Sequence, residues 1–204
     1  MKTSLRRAAP LIAAASLIVL LAACAKEPEA PRSPVFYDRL DAAGATVSPE
    51  AAASMISGYR ATRGLSAVVA DPVLNKLAAD QARAMAAVDQ VGHNVKGGGS
   101  FEKRLAASGF DAGVAVENVG AGYRTLAEAF SGWRDSPSHN ANMLKAGVTR
   151  LGIGTAYAPK SKYKVYWSLI LAKPYEPPPA AAAAAPLPAD GRTVVSIGGA
   201  VVSQ

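Results

Sequence analysis

Residues 133–144 read WRDSPSHNANML and combine the end of one helix, the start of another and one of the chain's two histidines. Pro137 ends the first helix because the residue before a proline is kept out of the helical conformation. The pair Ser136-Pro137 then opens a short helix, since serine caps orphan amides and proline at the first position loses no hydrogen bond. His139 is the third residue of this helix, where the helix dipole disfavours a charged ring. We therefore predict a neutral imidazole that can accept a proton or ligate a metal.

Four further helices are predicted upstream, each from a capping residue. In chain order the caps are Ser48 before Pro49, Asp71 before Pro72, Ser100, and Thr125, which forms a capping box with Glu128. The first helix is expected to end near Gly64 and the third to stop at Gly109. In the second, apolar residues recur at three- and four-residue spacing, which predicts a buried face.

After residue 146 the pattern changes from helical to extended. Residues 148–158 (VTRLGIGTAYA) and 164–172 (KVYWSLILA) are β-rich runs separated by PKSKY, which predicts an antiparallel hairpin. The second run is nearly continuous in apolar residues and should be a central strand. Trp133 and Trp167 are predicted core residues. Helices followed by strands favour an α+β fold or a layered α–β–α domain.

The N-terminus predicts an exported lipoprotein. Residues 1–23 have a basic start, an apolar stretch and small residues before Cys24, which is typical of a signal peptide. The apolar run is shorter than the roughly 20 residues of a membrane-spanning helix. The sequence LAAC resembles a bacterial lipobox, which implies cleavage before Cys24 and acylation, for example with palmitate. Ala25 rather than aspartate follows, which favours the outer membrane facing the periplasm if the cell has two membranes.

Charge and composition limit the partners and divide the chain. Removing the signal removes three of the 22 basic residues and leaves 19 against 15 acidic ones, a net charge of +4. Without a basic cluster, nucleic acid is not an expected partner, whereas the membrane is, through the lipidated cysteine. We predict a lipidated linker over 24–47, a folded domain over 48–173, and a Pro/Ala-rich linker with a short apolar tail over 174–204. Both flanking segments are expected to be disordered, although the tail can also form a small strand pair.

Several motifs resemble the bacterial CAP family, whose SCP domain is named for cysteine-rich secretory proteins, antigen 5 and plant pathogenesis-related proteins. They are ISGYRATRGLSAVVADPVLNKLAADQARAMA (56–86), GHN (92–94), AVENVGAGY (115–123), WRDSPSHNANML (133–144) and RLGIGTAY (150–157). The resemblance covers about 48–172. It implies a three-layer α–β–α sandwich with a cleft.

The resemblance also implies a site. By motif, His93, Glu117 and His139 match the two histidines and one glutamate of the family's cleft, with Ser138 and Asn142 beside them. The second glutamate of the eukaryotic pattern is missing, as in many bacterial members. Asp135 is offset by one residue from that position, which rotates it roughly 100° around the helix.

Three classes of function remain open from these residues. The first is a binding module for a lipid, a wall fragment or a divalent metal. The second is a Zn²⁺ site formed by His93, His139 and Glu117, although no compact metal motif such as HExxH is present. The third is a hydrolase, either metal-dependent or with a serine that is activated by His139 and oriented by Glu117, although the chain has no GxSxG elbow. We favour binding, assign no catalytic residue and predict no oligomeric state.

Overall fold

A four-stranded mixed sheet forms the centre of the domain. In the computed structural model, which describes residues 34–177, 195–197 and 200–202, the strands are β1 (Val69–Ala70), β2 (Ala112–Ala121), β3 (Arg150–Tyr157) and β4 (Val165–Pro174). Their order across the sheet is β1-β3-β4-β2, with β4 antiparallel to both neighbours and β1 parallel to β3. The predicted hairpin and the central position of its second strand are therefore confirmed.

Helices cover both faces of this sheet. The five helices are α1 (Pro49–Ala61), α2 (Pro72–Val88), α3 (Phe101–Ala107), α4 (Leu126–Asp135) and α5 (Pro137–Met143). Side chains of β4 alternate between the two faces: Trp167 and Leu169 pack with α1, α4 and α5, whereas Tyr166 and Ile170 pack with α2 and α3. The rings of Trp133 and Trp167 meet edge to face at 6.2 Å inside the first layer. This is the three-layer α–β–α sandwich that the resemblance implied.

Two glycines let α2 lie directly on β3. A Cβ atom at Gly152 would fall 2.2 Å from the carbonyl carbon of Leu74, and one at Gly154 would fall 2.2 Å from the amide nitrogen of Ala79. Only a residue without a side chain permits this approach of helix backbone to strand. The close contact fixes α2, and with it the loop that follows.

The predicted caps hold with two differences. The side chains of Ser48, Asp71, Ser100 and Thr125 accept hydrogen bonds from amides of the first turn of their helices. The side chain of Ser136 makes no capping hydrogen bond. Glu128 accepts from the amide of Arg124 at 2.6 Å rather than from that of Thr125. In both cases the helix boundary is nevertheless at the predicted place.

The flanking segments are described only in part. A 3₁₀ helix spans Val35–Tyr37, and Leu40 is buried in the core, so the segment before α1 contributes to the domain. Near the C-terminus, β5 (Val195–Ile197) pairs antiparallel with β6 (Ala200–Val202). Cys24, the predicted signal peptide and most of the predicted disordered flanks lie outside the described residues. None of the helices in the described ranges has the length and apolar character needed to cross a membrane.

Candidate functional site

The site is built around β2, a strand that sequence reasoning did not predict. β2 lies at the edge of the sheet and carries Glu117 and Asn118, both almost fully buried. Successive side chains of a strand point to opposite faces. Glu117 therefore lies on the side of α2 and α3, and Asn118 on the side of α4 and α5. Because no further strand is paired with β2 in the described ranges, groups from both helical layers can meet around its edge.

Glu117 accepts five hydrogen bonds through its side chain. Its side chain is 1% exposed and accepts hydrogen bonds from three residues. Both terminal nitrogens of Arg104 donate to it, with distances of 3.0 to 3.2 Å. The hydroxyl of Ser168 donates to Oε1 at 3.1 Å, and Nδ1 of His93 lies 2.9 Å from Oε2. The buried carboxylate is thus matched by a guanidinium and saturated with donors.

His93 is held at its backbone and at one ring nitrogen. The amide of Gln81, buried on α2, donates to the carbonyl of Gly92 at 2.6 Å and fixes the loop ahead of the histidine. Since a carboxylate only accepts, Nδ1 is the donor toward Glu117. In the neutral form of the ring, Nε2 carries the lone pair, and 54% of the side chain is exposed. This arrangement orients an imidazole that can accept a hydrogen bond or a proton from a ligand.

The other half of the site comes from α5. The amide of Asn142 donates to the carbonyl oxygen of Glu117 at 3.2 Å and to the side-chain oxygen of Asn118 at 2.9 Å. Asn118 in turn donates to the carbonyl oxygen of His139 at 3.0 Å. These bonds tie α5 to the edge strand. They explain why polar residues occupy one face of a short helix.

His139 lies half-buried on the same helix. The pKa of His139 is lowered from the ordinary value, first because burial disfavours the charged ring and second because the charge that His93 has when protonated would repel it. The direction agrees with the neutral ring predicted from the helix start, but the leading cause is burial. No hydrogen bond joins the two histidines in residues 34–177.

An open cavity of about 360 Å³ borders these residues. Six of its eight lining residues have polar side chains, which carry hydroxyl, amide, imidazole and carboxylate groups, but the apolar part of its wall is the larger one. The lining residues are His93, Asn94, Ser100, Phe101, Glu102, Val116, Glu117 and Asn142. Three of the predicted site residues, His93, Glu117 and Asn142, therefore share one cleft, whereas His139 and Ser138 are not among its lining residues.

The other predicted residues, Ser138 and Asp135, are exposed to solvent. Ser138 is exposed, and in the described part of the chain no serine hydroxyl is hydrogen-bonded to either histidine. Asp135 accepts from the adjacent Arg134 at 2.9 Å and is mostly exposed, so it does not replace the missing acid. No three His, Cys, Asp or Glu side chains in the described ranges form a group that could hold a metal ion. The zinc ligand set stays a prediction.

Sequence reasoning missed three residues that complete the site: Arg104, Asn118 and Ser168. Arg104 stands on a short capped helix, where a basic residue is ordinary. Ser168 lies within the apolar run of β4. The one available signal was Ser168 itself, because a polar residue in a strand predicted to be buried needs a hydrogen-bond partner.

A three-layer α–β–α domain with a polar His/Glu cleft at an edge strand is thus the class that the fold and site define. The model of CAP, the cysteine-rich secretory protein family, matches residues 53–171, and the chain belongs to this family. No curated protein matches the chain.

Two solved bacterial structures share the fold. An outer surface protein from Borrelia burgdorferi is 17% identical with a TM-score of 0.56, covering 65% of this chain and 99% of that one. An extracellular protein containing an SCP domain from Bacillus anthracis is 20% identical with a TM-score of 0.53, covering 60% of this chain. The match spans only 39% of the Bacillus protein.

Proposed function

We propose that this protein is a binding module anchored in the cell envelope, whose cleft takes a polar fragment of the envelope. The cleft of about 360 Å³ carries the proposal, because it is within the range of small-molecule sites. Hydroxyl, amide and imidazole groups line the cleft together with the ring of Phe101. Hydrogen-bonding groups beside an aromatic ring suit a glycan or peptide fragment of the wall, whereas an acyl chain would leave these groups unpaired.

The anchoring part of the proposal rests on the sequence. A lipobox-like LAAC at 21–24 follows a signal-like leader, so Cys24 would carry the lipid. The two structural neighbours are described as an outer surface protein and an extracellular protein, which supports an exported location. The proline-rich stretch at 25–34 would then act as a spacer between membrane and domain.

Hydrolysis is the second candidate, and the His93–Glu117 pair favours it. A ring whose Nδ1 is held by a carboxylate presents Nε2 as a general base, in this case toward water, since no serine is bonded to it in the described residues. A hydrolase would convert the same wall fragments that a binding module retains. Turnover therefore separates the two functions.

The test titrates soluble peptidoglycan fragments, and vesicles of envelope lipids, against the full chain in detergent while the products are followed by mass spectrometry. Binding of a fragment without conversion is expected. Replacing the exposed His93 by alanine should weaken binding by about tenfold, the effect of losing one hydrogen bond of about 1.4 kcal/mol. Lys160→Ala is the matched control, since Lys160 is exposed but does not line the cleft. Equal affinities for wild type and His93→Ala would refute the site, and cleavage would establish the hydrolase.

A further inference from the structure

Glu117, which lines the cleft, is already paired with a cation, the guanidinium of Arg104. The side chain of Arg104 is 9% exposed and lies 3.0 Å from Oε2 of Glu117. Arg104 also donates to the backbone oxygen of His93 at 3.1 Å and to that of Gly99 at 3.4 Å. Its guanidinium carbon lies 5.5 Å from the ring centroid of Phe101. Arg104 is thus held by the loop that carries His93 and by the ring that lines the cleft.

The two oxygens of Glu117 have no capacity left for a metal ion. Oε1 accepts from Arg104 and Ser168, and Oε2 accepts from Arg104 and His93. A carboxylate offers about four acceptor positions, and these bonds use all of them. The same bond takes Nδ1 of His93, so a metal would have only Nε2 of that ring. The predicted zinc donors therefore do not fit a divalent cation while Arg104 is in place.

We propose that Arg104 takes the place of a divalent cation in this cleft and makes the site independent of metal. The guanidinium matches Glu117, the one buried carboxylate among the described residues, so a second cation there would be repelled by Arg104, and the only other carboxylate lining the cleft is the solvent-exposed Glu102. Arg104 also cross-links the site as a structural metal would, since it bonds both to Glu117 on β2 and to the backbone of His93. This inference goes beyond the proposed function, because it holds whichever ligand the cleft takes.

The experiment measures Zn²⁺ binding by the full chain with isothermal titration calorimetry and by the change in Tm with and without chelator. Wild type should show no stoichiometric site and no Zn²⁺-dependent rise in Tm. Arg104→Met removes the guanidinium but keeps an unbranched apolar side chain. It should gain a Zn²⁺-dependent rise in Tm that is lost again in Arg104→Met/Glu117→Gln. Arg104→Lys is the matched control, because it keeps the positive charge and should behave like wild type toward Zn²⁺.

Two outcomes would overturn the proposal. One is stoichiometric Zn²⁺ binding by wild type that disappears in Glu117→Gln, and the other is a folded Arg104→Met that gains no Zn²⁺ site. If Arg104→Met does not fold, the imidazole NMR signals of the wild-type protein, recorded with and without Zn²⁺, test the proposal instead. Unchanged signals of His93 and His139 at equimolar Zn²⁺ support the proposal, and a shift of both refutes it. Neither result depends on whether a wall fragment binds, so failure of this proposal can be distinguished from failure of the proposed function.

Discussion

Arg60 should be the residue on which the position of α5 depends most strongly. It is fully buried on α1, and its guanidinium donates only to backbone carbonyls. The acceptors are the oxygens of Ser66 at 2.8 Å, Met143 at 2.8 Å, Lys145 at 3.0 Å and Val148 at 3.2 Å. Three of these belong to the end of α5 and the turn into β3. Arg60 therefore fixes the helix that carries His139 and Asn142.

The expected cost of Arg60→Met follows from these bonds. The bonds to Met143 and Val148 are fully buried, and each carbonyl left without a donor costs about 1–3 kcal/mol. Part of this is offset, because burial disfavours the charged form of Arg60 and lowers its pKa, so removing the charge relieves that penalty. We expect the free energy of unfolding to fall by about 2–4 kcal/mol.

Urea unfolding followed by the fluorescence of the two buried tryptophans measures this change. Arg63→Met is the matched control, since Arg63 is exposed and its guanidinium carbon lies 5.8 Å from the ring centroid of Tyr59. The control should stay within about 0.5 kcal/mol of wild type. If Arg60→Met also stays within about 0.5 kcal/mol, the carbonyls do not depend on the guanidinium, and the reasoning is refuted.

Three further predictions concern the packing, the cleft and the anchor. Gly152→Ala should destabilise the domain by about 1–3 kcal/mol or more in the same urea assay, because the added Cβ would clash with the backbone of Leu74. Gly58→Ala is the control: its Cβ would have no atom within 4 Å, and the change should stabilise α1 by about 0.5–1 kcal/mol. The pKa of His139 is lowered in the folded state, so the folded protein binds this proton less readily than the unfolded chain does. The free energy of unfolding should therefore fall as the pH drops through about 6.5, and it should fall less in His139→Gln. Equal pH dependence of wild type and variant would contradict this. Cys24→Ala should abolish acylation and membrane association in fractionation, and an acylated variant would refute the lipoprotein proposal.

The sequence by itself determined the elements whose signals are local. Caps at Ser48, Asp71, Ser100 and Thr125 placed four helix starts, because a cap bonds amides within a few residues of itself. The long apolar run at 164–172 placed the central strand for a similar reason, since continuous apolar residues indicate burial on both faces. The family motifs added the three layers and three of the residues that line the cleft, His93, Glu117 and Asn142.

Only the tertiary structure determined which residues pair with the buried Glu117. Glu117 is 13 residues from Arg104 and 51 from Ser168 in the chain, and Arg60 is 88 residues from Val148. No local pattern encodes such pairs, because each partner lies in its own element as an ordinary polar residue. β2 was missed for a related reason: an edge strand with Glu117 and Asn118 buried on opposite faces shows no clear alternation. Burial of a charge requires a partner, and the packing of α3 against β2 determines that this partner is Arg104.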